Sequence, residues 1–287
     1  MFGRRRLFGR RRLSGCTDDQ LLLMREAGLL VGRTLEMLHG EIRAGVSTLE
    51  LDRLAEDFIR SHGGIPNFQL VPGYSHTLCT SVNEQVVHGV PTSTTILREG
   101  DLLSIDCGAE VSGWNGDAAI SVIVGGSEAA RPEDLDLLAA TEAALYAGIV
   151  ALRIGGRLYA VGDAIERSIL AAAARDGHTY GIIDEYVGHG IGRQMHMDPQ
   201  IPNYAVRETG PKLVAGFTGA IEPMVTLGTS EATVLTDGWT VVTTDGSRSC
   251  HWEHSVAVRE QGLWILTSLD GGQAALAALG AAFAPET

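Results

Sequence analysis

The apolar positions of this chain change period several times, and the changes mark out its elements. Thr17-Asp18-Asp19-Gln20 is a T-x-x-Q capping box. Behind it Leu21, Leu22, Met24, Ala27, Leu30 and Val31 recur along one helical face, which predicts a first amphipathic helix. Ser47-Thr48-Leu49-Glu50 opens a second, through Leu54, Phe58 and Ile59, that stops near Gly63-Gly64. Strand-like segments follow around Cys79–Val82 and Val86–His88. The run Leu102-Leu103-Ser104-Ile105-Asp106 then leads through Gly113-Trp114-Asn115-Gly116-Asp117 into Ala118–Val124, the length of a hairpin. Two Ala/Leu-rich helical stretches come next, near Glu133–Leu152 and Tyr159–Ala174. The last third returns to strands at Gly219–Glu222, Val225–Leu227, Trp239–Thr243, Glu253–Val258 and Leu263–Thr267. Helix, helix, strands, and then the same order again suggests two similar halves. Periodicity alone assigns the α+β class.

Composition narrows the function. The 287 residues are 45% hydrophobic, enough for a sizeable core. No apolar run approaches the roughly 18 residues of a membrane span. The formal charge of −13 argues against nucleic acid as the main partner of the folded body. The basic residues are unevenly placed. Phe2-Gly3-Arg4-Arg5-Arg6-Leu7 is repeated at once as Phe8-Gly9-Arg10-Arg11-Arg12-Leu13, with no apolar stretch after it to complete a signal peptide. Two readings stand for this segment: a disordered tail, or an arm attaching to ribosomal RNA. Cys16, Cys79, Cys107 and Cys250 show no C-x-x-C pair, so reduced thiols in a cytoplasmic protein are expected.

The chemistry rests on five residues. Asp106, Asp117, His189, Glu222 and Glu253 supply four carboxylates and one imidazole, a set that could surround two divalent cations. Such ligands favour Mn²⁺, Fe²⁺, Co²⁺ or Zn²⁺. His189 sits in Gly188-His189-Gly190-Ile191-Gly192, where glycines admit close backbone approach. Taken singly, an Asp after a strand is more often a turn residue or a helix cap. Glu222, however, is flanked by Ala220, Ile221 and Met224. An unpaired carboxylate in such surroundings costs roughly 3 kcal/mol or more, a penalty that a divalent cation would remove.

Six ordered pieces carry a resemblance. They are Asn83-Glu84-Gln85-Val86-Val87-His88-Gly89-Val90-Pro91, Ser104-Ile105-Asp106-Cys107-Gly108, Gly116-Asp117, Gly188-His189-Gly190-Ile191-Gly192, Ile221-Glu222-Pro223-Met224 and Trp252-Glu253-His254. In order and interval they resemble the type I methionine aminopeptidases, from about Thr17 to about Thr267. The resemblance implies the pita-bread fold, a pseudo-twofold pair of αβ halves with a curved antiparallel sheet and outer helices. Its domain plan is a basic tail over 1–16, one metallopeptidase domain over 17–270 and an Ala-rich tail over 271–287.

The resemblance also implies roles. Asp117 and Glu253 look like carboxylates bridging two metals, Asp106 like a chelating ligand of one, and His189 with Glu222 like the partners of the other. Glu222 would move the proton of the nucleophilic water to the departing amine. His88 would contact substrate near the scissile amide, and His196 would hydrogen-bond the scissile carbonyl oxygen. His254, next to a ligand on a strand, points to the opposite face and is structural. Tyr74, Cys79, Met195, Trp239 and Phe68 would line a slot for a methionine side chain.

Three positions depart from the family pattern: Val71 and Met195 stand where aromatics are usual, and Gly108 where a small hydroxyl is. A Xaa-Pro peptidase shares the fold and ligand set, but only about 100 residues precede Asp106, too few for the extra N-terminal domain those enzymes carry. A catalytically silent binding protein would be expected to have lost ligands, and none is lost. The implied protein is a cytoplasmic monomer acting on nascent peptide N-termini, with ribosome contact through the arginine repeat as the open question.

Overall fold

A computed structural model describes residues 13–285. The arginine repeat before Leu13 and the last two residues lie outside the described residues.

Both capping boxes form as their sequences demand. Helix α1, Asp18–Glu41, begins at Thr17 with the reciprocal Thr17 and Gln20 bonds. Helix α2, Thr48–Ser61, begins at Ser47 with the same exchange with Glu50. Pro132, whose fixed φ suits a first turn, opens α3 over Pro132–Ala151. Helix α4, Ala160–Asp176, ends at Gly177, whose φ of 74° is the left-handed conformation that glycine adopts freely.

A nine-stranded sheet carries the helices. Its longest strands form the hairpin of Leu102–Val111 and Trp114–Ile123, turned at Ser112 and Gly113. Asp106 therefore does not end its strand but stands in the middle of it. Glu253–Arg259 pairs with the second hairpin strand, Thr218–Ile221 pairs with Glu253–Arg259, and Gly188–Gly190 pairs with Thr218–Ile221, all antiparallel. Leu78–Val82 flanks the first hairpin strand.

Each half covers its part of the sheet with its own helix pair. Leu30, Val31, Leu38, Leu51 and Ile59 of α1 and α2 pack on Leu103, Ile105, Cys107 and Ala118. Leu137, Leu145, Ile165 and Ile169 of α3 and α4 pack on Ile221, Val256 and Val258. These strand residues alternate with the five candidate ligands, so the helices take one face of the sheet and leave the other to the chemistry. The expected pseudo-twofold α+β architecture, the pita-bread fold, is the one formed.

One close approach fixes the height of the hairpin. A Cβ on Gly116 would lie 2.7 Å from Gly28 N and 2.8 Å from its Cα. Glycine at 116 thus lets α1 seat directly beneath Asp117.

Several segments differ from expectation in detail. The expected Val86–His88 strand is Gln85–Val87, and His88 leaves it with φ 59°. The Trp239–Thr243 strand begins only at Val241, since Asp237 ties the amides of Trp239 and Thr240 into a turn. The Ala-rich end contains a short helix α5, Gln273–Ala278, whose Leu276 is fully buried against the α3/α4 core.

Candidate metal centre

The strand registers place the five candidate ligands in two transverse rows on the open face. Asp106 is opposite Ala119, and Ala119 is opposite Glu253. Ile221 is opposite His254, so Glu222, the next residue, comes level with Glu253. In the adjacent row Gly108 is opposite Asp117, Ser255 is opposite Ala220, and Ala220 is opposite His189. Ser255 binds both backbone groups of Asp117, accepting from its N–H at 3.0 Å and donating to its carbonyl at 2.8 Å. Five residues scattered over the sequence thus become neighbours through pairing alone.

Among the described residues, Asp117, His189 and Glu253 each offer a ligand atom, and these atoms lie within 4.8 Å of one another. All three residues are buried. Burial pushes Asp106 up to about 7, partly offset by its hydrogen bonds with Asp117 and the Cys107 backbone. It pushes Asp117, Glu222 and Glu253 well above the usual carboxylate range, each raised further by neighbouring carboxylates.

The donor set fits a cation. Asp106 Oδ1, Asp117 Oδ1 and Glu253 Oε1 are buried without a hydrogen-bond partner. His189 Nδ1 lies 3.0 Å from the Gly190 carbonyl, which can only accept, so the proton sits on Nδ1. Its Nε2 then faces Glu222 Oε1 at 3.5 Å. An ion pair there would need a protonated ring, yet burial lowers His189 to about 3. A divalent ion between them would take both Nε2 and the carboxylate oxygen as ligands.

The remaining expected residues gather around this face. His88 is held in the left-handed region, unusual for a residue with a Cβ, with its ring edge-on to Tyr186 at 5.2 Å. Burial lowers it to about 4, so it is neutral. His196 is exposed as a residue, but its ring stands 4.4 Å from that of His189. His254 lies on the opposite face, as expected, its Nδ1 2.8 Å from Thr267 Oγ1.

Phe68, Tyr74, Cys79 and Met195 form one buried apolar cluster, with Val71 and Trp239 packed against it. Tyr74 meets Trp239 edge-on at 5.0 Å and donates to the Leu78 carbonyl at 2.7 Å. Cys79 is the register partner of Asp106, which puts the cluster directly beside the first ligand row. The cluster and the five candidate ligands line one cavity, together with His88 and His196.

Sequence reasoning missed three polar residues. Asn203 donates to the Glu222 carbonyl at 3.0 Å, Tyr186 supports His88, and Asn67 donates to Asn115 within the sheet. None stands in a motif. Only Asn67, next to Phe68 of the expected slot, had a neighbour that could have drawn attention to it.

Comparison with known proteins agrees with this geometry. The model of metallopeptidase family M24 matches residues 22–260. Methionine aminopeptidase 1 of Mycobacterium tuberculosis is 48% identical over 262 residues, which is 91% of this chain and 97% of that protein. Methionine aminopeptidase 1 of Bacillus subtilis is 43% identical over 88% of this chain and 97% of its own length. The crystal structure of methionine aminopeptidase from Thermotoga maritima superposes with a TM-score of 0.84 at 37% identity, over 89% of this chain and 99% of that one. The prolidase of Pyrococcus furiosus shares the fold, with a TM-score of 0.65 at 19% identity, but the match spans only 64% of it.

Proposed function

The chain belongs to metallopeptidase family M24, and we infer that it is an aminopeptidase removing the N-terminal methionine from peptides and nascent proteins. The observation that carries this reading is the single cavity joining the carboxylate–imidazole face to the apolar slot of Phe68, Tyr74, Cys79, Met195 and Trp239. A methionine side chain is unbranched and polarizable and suits such walls. Nascent chains emerge in the cytoplasm, and that is where this activity would be exercised. Among the described residues no helix is long and apolar enough to cross a membrane.

Asp106, Asp117, His189, Glu222 and Glu253 would hold two divalent ions, with Mn²⁺, Fe²⁺, Co²⁺ and Zn²⁺ all suited to this donor set. When bound, such a pair supplies positive charge and lowers the pKa of water toward neutrality. The chain does the rest. Glu222 accepts the proton of the attacking water on a carboxylate oxygen and returns it to the departing amine nitrogen. His196, at the open side of His189, donates to the scissile carbonyl oxygen as negative charge builds there. His88, neutral and fixed by its strained turn, positions the peptide beyond the scissile bond. The Cys79 thiol, pushed well up by burial and by Asp106, stays protonated and serves as wall rather than nucleophile.

The reading is tested with the purified, metal-stripped protein, to which each divalent ion is restored in turn. Met-Ala-type peptides should be cleaved and Xaa-Pro peptides left intact. Cleavage of Xaa-Pro peptides with Met-Ala untouched would replace it by the proline-specific activity.

His196→Ala is expected to lower kcat by about 10² with little change in KM, since one donor to a developing oxyanion is lost. Steady-state kinetics on the fully metallated variant checks it. A lowered melting temperature with intact turnover would make His196 a structural residue.

A further inference from the structure

Asn67 is 2% exposed and opens the short 3₁₀ turn Asn67–Leu70. It follows Ile65–Pro66, which pairs with Glu110 and Ala109 of the hairpin. Its carboxamide folds over Gly108. A Cβ built on Gly108 would lie 2.1 Å from Asn67 Oδ1 and 2.8 Å from its Cγ. Gly108 is the register partner of Asp117 and lies on the same face as Asp106, two residues before it. The amide therefore occupies the space of the side chain that Gly108 lacks.

One end of that amide is accounted for. Asn67 Nδ2 donates to Asn115 Oδ1 at 3.2 Å, and Asn115 Nδ2 donates onward to the Gly192 carbonyl at 3.0 Å. The relay fixes which way the Asn67 amide points. The other end is not accounted for: Asn67 Oδ1 is buried with no partner, as is Asp117 Oδ1 in the same region of the sheet. A filler over Gly108 would be better made from leucine, which has nearly the same shape and no oxygen to leave unpaired.

We propose that Asn67 is a positioning residue of the metal centre, its carboxamide replacing the side chain absent at Gly108 and its free oxygen accepting a hydrogen bond beside Asp117 when the centre is loaded. The proposal rests on the reading that the five ligands bind metal. It explains together the glycine at 108, the relay through Asn115 and the unpartnered oxygen. Partners of this kind around metal ligands typically change metal affinity about 10–100-fold when removed.

Calorimetric titration of the metal-stripped protein with Mn²⁺ tests it, alongside melting of the metal-free forms. Asn67→Leu keeps the volume and removes the oxygen. It should bind Mn²⁺ about 10–100-fold more weakly, with kcat reduced and KM little changed, while the metal-free form melts near wild type. Asn67→Ala should show the same weakening. Adding Gly108→Ser to Asn67→Ala puts a hydroxyl on the same face without collision and should recover most of the affinity. Wild-type Mn²⁺ affinity in Asn67→Leu and Asn67→Ala, with only a lowered melting temperature, would make Asn67 packing alone and overturn the proposal. A wild-type protein that binds no Mn²⁺ would remove the metal reading, and this proposal with it.

Discussion

Glu222→Gln should lower kcat by about 10³ while leaving the metal-free protein almost as stable as wild type. The two halves of this expectation have separate causes. The amide keeps the shape of the side chain, and Asn203 still holds the Glu222 carbonyl at 3.0 Å. Burial and Asp106 push the Glu222 carboxyl well above its ordinary range, which favours its neutral form in the metal-free fold. A neutral amide therefore changes little in the empty fold. During turnover the loss is large, because the substituted side chain can neither accept the water's proton nor present a charge opposite His189 Nε2. Single-turnover kinetics with melting of the metal-free forms separates the two. A kcat near wild type would mean that another group is the base.

Metal removal should abolish hydrolysis, and Mn²⁺, Fe²⁺ or Co²⁺ should restore it. The pH dependence of rebinding comes from the carboxylates. Burial raises Asp106 to about 7, so below that pH a proton occupies the carboxyl that a cation needs. Cation binding displaces it. The dissociation constant should thus rise about tenfold for each pH unit below 7 for each proton displaced. Titration in two buffers of different ionisation heat would show the released proton directly. Peptidase activity that survives exhaustive chelation would remove the metal-dependent mechanism.

Much of this arrangement is legible in the sequence because it depends on strong local signals. Thr17-x-x-Gln20 and Ser47-x-x-Glu50 fix two helix starts by reciprocal hydrogen bonds that need no tertiary context. The Asp106/Asp117 hairpin is written in alternation and in a glycine turn. The short pairing segments are not legible. Gly188–Gly190, Ala232–Val234 and Ser249–His251 are three residues each, too brief to establish a period, and are defined only by the strands that pair with them. His88 reads as the end of a strand but lies in a left-handed turn. Gly89 after it packs against the Thr80 backbone, and that tertiary contact, rather than the propensity of histidine, imposes the turn. Asn67 is invisible for a related reason. Its significance depends on an atom missing forty-one residues away, at Gly108.

The hairpin also sets an order of events during synthesis. Asp106 and Asp117 are brought together by a two-residue turn, so they can meet as soon as that stretch of chain is free. His189, Glu222 and Glu253 come from the second half, and Glu253 joins only through pairing with Ala119. A growing chain therefore exposes two carboxylates long before it owns the rest of the centre. Until residue 253 has emerged and paired, the proposed metal centre lacks one of its five carboxylate and imidazole groups.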